Sequence, residues 1–163
     1  MMDDSMIDRD AVRRFWDGYR LAAGGAETPP LAFWFGDTVE VADALADLVT
    51  AGTKRATAGL LRDVGSTEIA VMPFEGMLSI VVDGQGRPRC LIRTTQVRTG
   101  RFDSVDAQFA WDEGEGDRTL AWWLDGHRAY FRRDAARRGL SFDDSEETIF
   151  ERFTVVWPPE LAD

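Results

Sequence analysis

Of the 19 basic side chains in this chain only Lys54 is a lysine, and it stands in the run Gly52-Thr53-Lys54-Arg55-Ala56-Thr57. Arginine stays charged under all ordinary conditions, whereas a buried ammonium can be pushed towards its neutral form, so the two are not interchangeable in a site. One reading of the lone lysine is that the chemistry here needs an amine. The other is compositional: in an Arg-rich, Ala-rich chain a single lysine is a survivor. A threonine three positions further on supplies a hydroxyl, which is a weak nucleophile unless a base adjoins it.

A second constellation is the acidic run Glu113-Gly114-Glu115-Gly116-Asp117. Its glycines let the backbone approach another group closely while three carboxylates project from one short connection. Carboxylates so crowded suit either a divalent cation or a proton held on one of them as a general acid. The alternative is a solvated turn in which Asp117 caps the following helix, and for Asp117 that is the expectation. Cys90 and His127 form a nucleophile pair only on paper, since each falls on an apolar face where burial is expected. No phosphate-cradling loop and no dinucleotide fingerprint occurs.

The elements that must position these residues follow from periodicity. Residues 8 to 23 predict an amphipathic helix with Val12, Phe15, Trp16, Tyr19 and Ala23 on one face, closed by Gly24-Gly25. Leu31 to Phe35 is a short strand or packed approach segment. Asp37-Thr38-Val39-Glu40 has the form of a helix N-cap, and Val41, Leu45, Leu48 and Val49 form the expected buried stripe before Gly52 ends the helix. Residues 55 to 61 then predict a strand and 62 to 76 a loop. Met77 to Val82 and Arg89 to Val97 make a β-hairpin around Asp83-Gly84-Gln85-Gly86, with Pro88 at the strand entrance. A short helix over 103 to 112 precedes a long one over 118 to 138, whose expected stripe is Leu120, Trp123, Leu124, His127, Tyr130 and Phe131. Thr148 to Trp157 closes the chain as a strand with Phe153, Val155 and Trp157 on one face. This order predicts an α+β domain: a small mixed barrel or curled sheet with helices packed outside.

At 163 residues the expectation is one domain over 1–163 with its own core. A single cysteine allows no internal disulfide, and the acidic start Met1-Met2-Asp3-Asp4 has no apolar run, so a reducing, cytoplasmic setting without membrane contact is expected. The formal net charge of −10 opposes coating of a polyanion, so nucleic-acid contact must be local. Arg55, Arg93 and the Arg128–Arg138 face must converge on Lys54 if a polynucleotide is to bind. Of the adjacent pair Trp122-Trp123 only one can point into the core, leaving Trp122 for the surface and a possible homodimer face.

Gly52-x-Lys54-x-x-Thr57, the strands after it, Phe109-Ala110-x-x-Glu113-Gly114 and the final Glu151-Arg152-Phe153 strand together resemble an ASCH domain, a branch of the PUA-like superfamily of small β-barrels. The resemblance spans roughly residues 31 to 157. Residues 1–30 read as the N-terminal helical extension of longer bacterial members. It implies a cleft for single-stranded RNA or a modified nucleoside, and two activities. One is metal-dependent cleavage of single-stranded RNA, with a Mn or Mg ion, as in longer members. The other is hydrolysis of the amide of N4-acetylcytidine by a Lys, Thr and Glu set, which needs no metal. Carried over, the catalytic set is Lys54, Thr57 and Glu113, with Arg55, Arg93 and Glu115 as substrate-binding candidates. The chain departs from the compact form at Gly59, where an arginine often stands, and at Gly76-Met77, where Gly-Asp is usual.

The chemistry of the residues fits both activities. In the amidohydrolase scheme a neutral Lys54 takes the Thr57 proton and Glu113 protonates the leaving amine. In the nuclease scheme Lys54 stabilises phosphoryl charge and Glu113 or Glu115 helps to hold a metal. The sequence leads with RNA cleavage, followed by nucleoside deacylation. A module that binds RNA or a modified base without chemistry is the third class.

Overall fold

The computed structural model describes residues 3–163, so Met1 and Met2 of the acidic start lie outside the described residues. Four helices pack on one five-stranded mixed sheet of order β1-β3-β4-β5-β2. The strands are β1 (Leu31–Phe33), β2 (Ala56–Leu60), β3 (Leu78–Val82), β4 (Pro88–Arg101) and β5 (Glu147–Trp157). All neighbours are antiparallel except β1, which runs parallel to β3. The end strands β1 and β2 do not pair with each other, so the sheet curls into a half-barrel without closing. The helices are α1 (Arg9–Ala23), α2 (Val39–Thr50), α3 (Ala107–Glu113) and α4 (Leu120–Arg137). None is long and apolar enough to cross a membrane.

Strand alternation sorts the core. On β3, Ile80 and Val82 pack with Val12, Trp16 and Tyr19 of α1, whereas Val81 between them packs with Ala46 and Val49 of α2. Each side of that strand is therefore covered by a different helix, as its continuous apolar run requires. At the other end of the sheet, Ala56, Leu60 and Phe150 pack with Phe109 of α3 and Trp123, Phe131 and Ala135 of α4.

Several expectations shift in detail. The α2 cap is Thr38, whose hydroxyl accepts from Val41 N–H at 3.2 Å, rather than Asp37. The residues α2 buries completely are Ala42, Ala46 and Val49, with Val41 exposed and Leu45 and Leu48 half-buried. Alanine on the sheet side lets the helix come close, and the larger side chains fall to its flanks. Ala23 is exposed, at the end of α1 where the sheet no longer reaches it. Trp157 leaves the face of Phe153 and Val155 to meet Tyr19 of α1, with ring centroids 5.9 Å apart. The pairing explains it: Ile92 opposes Val155 while Leu91 opposes Trp157, so Val156 is an extra residue that turns the strand over. On α4, Trp123 and Phe131 are buried as expected, while Leu120, Leu124, His127 and Tyr130 are only partly so. Asp117 sits one step outside the cap. It accepts from the N–H and hydroxyl of Thr119, and Thr119 itself caps α4.

Candidate functional site

Lys54 reaches its position by backbone. Helix α2 ends at Gly52, whose φ of +85° turns the chain, and the N–H groups of Thr53 and Lys54 return to the carbonyl of Leu48 at 2.9 and 3.0 Å. The next N–H, of Arg55, donates to the carbonyl of Asp112 at 2.7 Å, which joins the entrance of β2 to the end of α3. Helix α3 stops at Gly114 with φ +75°, and a Cβ there would lie 2.3 Å from the carbonyl oxygen of Thr53. Only glycine allows so close an approach in this left-handed conformation. The lone lysine and the acidic run are thereby brought face to face.

The resulting cluster is buried. Lys54 is 0% exposed and Glu113 1%. The Lys54 ammonium donates to Glu115 Oε1 at 2.7 Å and lies 3.5 Å from Glu113 Oε1. Glu113 also accepts the indole N–H of Trp123 and faces His127 Nε2 at 3.2 Å. His127 Nδ1 stands 2.9 Å from the carbonyl oxygen of Trp123, which can only accept, so this nitrogen carries a hydrogen. A second proton must then sit between Nε2 and the Glu113 carboxyl. Burial drives the Lys54 pKa down, but Glu115 and Glu113 overcome it and hold the ammonium above its ordinary value. Burial likewise opposes ionisation of Glu113, yet His127 and Lys54, with the hydrogen bonds from His127 and Trp123, keep its carboxyl well below the usual range. For His127 burial is outweighed by Glu113, and its pKa is raised. The neutral lysine of the amidohydrolase scheme is therefore not the resting form.

Thr57 lies on β2 directly opposite Glu151 of β5. Ala56, Ala58 and Leu60 face α3 and α4, so Thr57 and Gly59 face the other side of the strand. On that side α2 covers Phe153, while the 61–76 loop lays Ile69 over Gly59. A Cβ on Gly59 would meet Ile69 Cδ1 at 2.7 Å, so the space of the arginine often found at this position is taken by the loop. Between the two covers lie Thr57, Glu151 and Thr94, and Thr94 donates its hydroxyl proton to Glu151 Oε1 at 2.6 Å. Phe35 and Phe153 stack beside them with centroids 6.1 Å apart, and the Lys54 ammonium lies 5.1 Å from the Phe35 ring centre. These polar side chains beside a buried aromatic pair mark the place of the cleft that the resemblance implies.

The chain belongs to the ASCH domain family. The family model for the ASCH domain matches residues 31–157, the same span that carries these strands and the cluster. Among solved structures, the chain is similar to an ASCH domain from Lactobacillus crispatus JV V101, with 31% identity, a TM-score of 0.81 and coverage of 92% of this chain and 96% of that one. It is also similar to a protein from Enterococcus faecalis V583, with 30% identity, the same TM-score of 0.81 and coverage of 90% and 88%. No curated protein matches it.

Within this ASCH domain the other candidates are placed differently. Arg55 is engaged by Asp163 at 2.7 Å and by the carbonyl oxygens of Val49 and Lys54, each at 2.8 Å, so it ties down main chain. Arg93 is exposed opposite Leu78, on the α1 side of the sheet and away from Thr94. Arg128, Arg137 and Arg138 are paired with Asp144, Asp134 and Asp63. The arginines thus do not converge on Lys54. A metal does not fit the cluster either: Glu113 and Glu115 share the lysine ammonium, and no group of three or more His, Cys, Asp or Glu side chains that could hold an ion occurs among the described residues. Cys90 is sealed in the core, with its thiol pushed up to about 12 by burial, and is no nucleophile. A surface hollow of about 490 Å³ lined by Asp17, Arg20 and Leu21 lies at the end of α1 and holds none of these residues.

His127, which the sequence reading set aside as a core residue, and Glu151, which it quoted only within the closing strand, stand beside these candidates. A histidine at a stripe position beginning four residues after Trp123 reads as core, and nothing local connects it to Glu113. Glu151 was visible only as part of the closing strand.

Proposed function

We propose that this ASCH domain takes a single modified nucleobase into the cleft and hydrolyses its exocyclic amide, with N4-acetylcytidine as the model substrate, either free or as one exposed base of an RNA. The observation that carries this reading is the buried contact of Lys54 with Glu113 at the entrance of the strand that carries Thr57 three residues further on. The engagement of Arg55, Arg128, Arg137 and Arg138 in intramolecular pairs, with Arg93 on the α1 side of the sheet, supports a ligand of nucleoside size over a long strand.

The raised Lys54 pKa and the lowered Glu113 pKa make the first step an uphill one: one ammonium proton passes to Glu113, leaving an amine and a carboxylic acid. The amine takes the Thr57 hydroxyl proton as Oγ1 bonds to the acyl carbon. The carbon–nitrogen bond breaks as Glu113 gives its proton to the departing nitrogen. Water then removes the acyl group from Thr57 and returns its hydroxyl, so that Lys54 is again an ammonium and Glu113 a carboxylate. His127 and Trp123 hold the Glu113 carboxyl in place throughout.

A second reading, recognition of a modified base without turnover, is favoured by one observation: the ammonium is held by two carboxylates and is fully buried. Metal-dependent RNA cleavage has the least support, because the donor set does not suit an ion. Purified wild type and Lys54→Ala, assayed on N4-acetylcytidine and on a short single-stranded RNA with manganese or with chelator, separate these. Cytidine release by wild type in chelator, lost in the variant, is the expected result. Cleavage of RNA only with manganese overturns the proposal in favour of a nuclease, and binding without turnover in favour of the recognition module.

A further inference from the structure

The cleft contains a carboxyl group that the Lys54, Thr57 and Glu113 scheme does not use. Glu151 stands directly across from Thr57 on the neighbouring strand, so the two side chains emerge on one face. Its Oε1 is fixed by the Thr94 hydroxyl at 2.6 Å, and Thr94 is itself 2% exposed. The other oxygen has no partner among the described residues and is not sealed from solvent. No ion pair to Glu151 occurs among the described residues. A carboxyl held by one hydroxyl and matched to no cation keeps an oxygen open to an incoming donor. Burial pushes its pKa up, with only the Thr94 hydrogen bond opposing. That contrasts with Glu113, whose two oxygens already meet Lys54, His127 and Trp123.

We propose that Glu151 is the specificity-determining residue of the cleft: its free oxygen accepts the N–H of the ligand's exocyclic amide or amine, and so turns the base to present its acyl carbon to Thr57. The position explains why a carboxyl serves here. Thr94 orients it from β4, Thr57 lies opposite on β2, and the buried Phe153 and Phe35 close the core beside it. A base with its exocyclic nitrogen over Glu151 turns the attached carbonyl towards Thr57 on the neighbouring strand. Uncharged base edges that lack an N–H at this point leave the Glu151 oxygen unpaired and are rejected. The inference rests on the reading of this cleft as a nucleobase site.

The test compares N4-acetylcytidine with N4-acetyl-N4-methylcytidine, which differs by replacement of the amide hydrogen, by calorimetric titration of wild type, Glu151→Ala and the near-isosteric Glu151→Leu. Lys54→Ala is included so that binding is measured without turnover. The expected result is that the methylated ligand binds wild type about tenfold to a hundredfold more weakly, and that both Glu151 variants bind the two ligands alike, at the weaker level. Equal binding of the two ligands to wild type overturns the proposal, and does so even if neither variant folds. Undiminished discrimination by the Glu151 variants overturns it as well, while leaving the nucleobase reading intact. If neither ligand binds wild type, the nucleobase reading and this proposal fall together.

Discussion

Glu113 joins more of the buried cluster than any other side chain in it. Its carboxylate meets Lys54 at 3.5 Å and His127 at 3.2 Å and accepts the Trp123 indole N–H, all at 1% exposure. Glu113→Ala removes one side of a buried ionic cluster and leaves the His127 proton without a counter-charge and the Trp123 N–H without an acceptor. Breaking a buried pair in this way costs about 3–5 kcal/mol. For a chain of this length that lowers the melting temperature by about 10 °C. Urea unfolding followed by tryptophan fluorescence measures it, provided that the slope of the transition is unchanged. The control is Lys54→Met with Glu113→Leu, which replaces the pair with apolar volume. His127 then discharges, and Glu115, which is partly exposed, turns to water. The double variant should be about 1–3 kcal/mol more stable than the sum of the single losses. A cost below about 1 kcal/mol for Glu113→Ala, or additive single losses, would refute the view of the cluster as one coupled unit.

Three further outcomes follow from the same geometry. The His127 pKa lies above its ordinary 6.5, so its contribution to stability is complete below that pH and is lost as pH rises through the folded value. The stability gap between wild type and His127→Asn should therefore be larger at pH 6 than at pH 9, in paired urea titrations. Gly114→Ala combines a φ of +75° with a Cβ 2.3 Å from the Thr53 carbonyl, and should cost about 2 kcal/mol or more and abolish any Lys54-dependent activity, checked by thermal melts and the cytidine-release assay. Trp122 is 39% exposed, and Trp111 beside the same acidic turn 53%, with Arg118 over its ring. If this face joins two copies, sedimentation will give twice 18.3 kDa and Trp122→Ser will return it to the single mass.

The elements with a strong local signal were legible. The α1 stripe, the hairpin with Pro88 at its strand entrance, the glycine stops and the closing strand all follow from periodicity and turn chemistry. What escaped depends on partners distant in sequence. The extra residue Val156 turns Trp157 to the α1 side because of its pairing with Leu91 on another strand. The alanines of α2 are buried because a sheet lies close against them, which no stripe of large residues reveals. At the site, the importance of Lys54 and Glu113 was readable from residue type and resemblance, but not their charge state. The pull of burial alone would give a neutral lysine; the two carboxylates that reverse it arrive from sixty residues away, through the turn at Gly114. His127 was hidden for the same reason. Arg55, Arg128 and Arg138 looked available because Asp163, Asp144 and Asp63 lie elsewhere in the chain, and Arg93 because its side of the sheet was not yet known.

The junction between β2 and α3 is made by main chain: Arg55 N–H to the Asp112 carbonyl, and Gly114 against Thr53. The spacing of acid and amine is thus inherited from the backbone, and no bond in that junction runs through the side chains at 57, 94 or 151. A scaffold built this way can be refurnished without being rebuilt. A library randomised at positions 57, 94 and 151 would keep the Lys54–Glu113 pair in register while changing what the cleft accepts, which makes this domain a starting point for new ligand preferences.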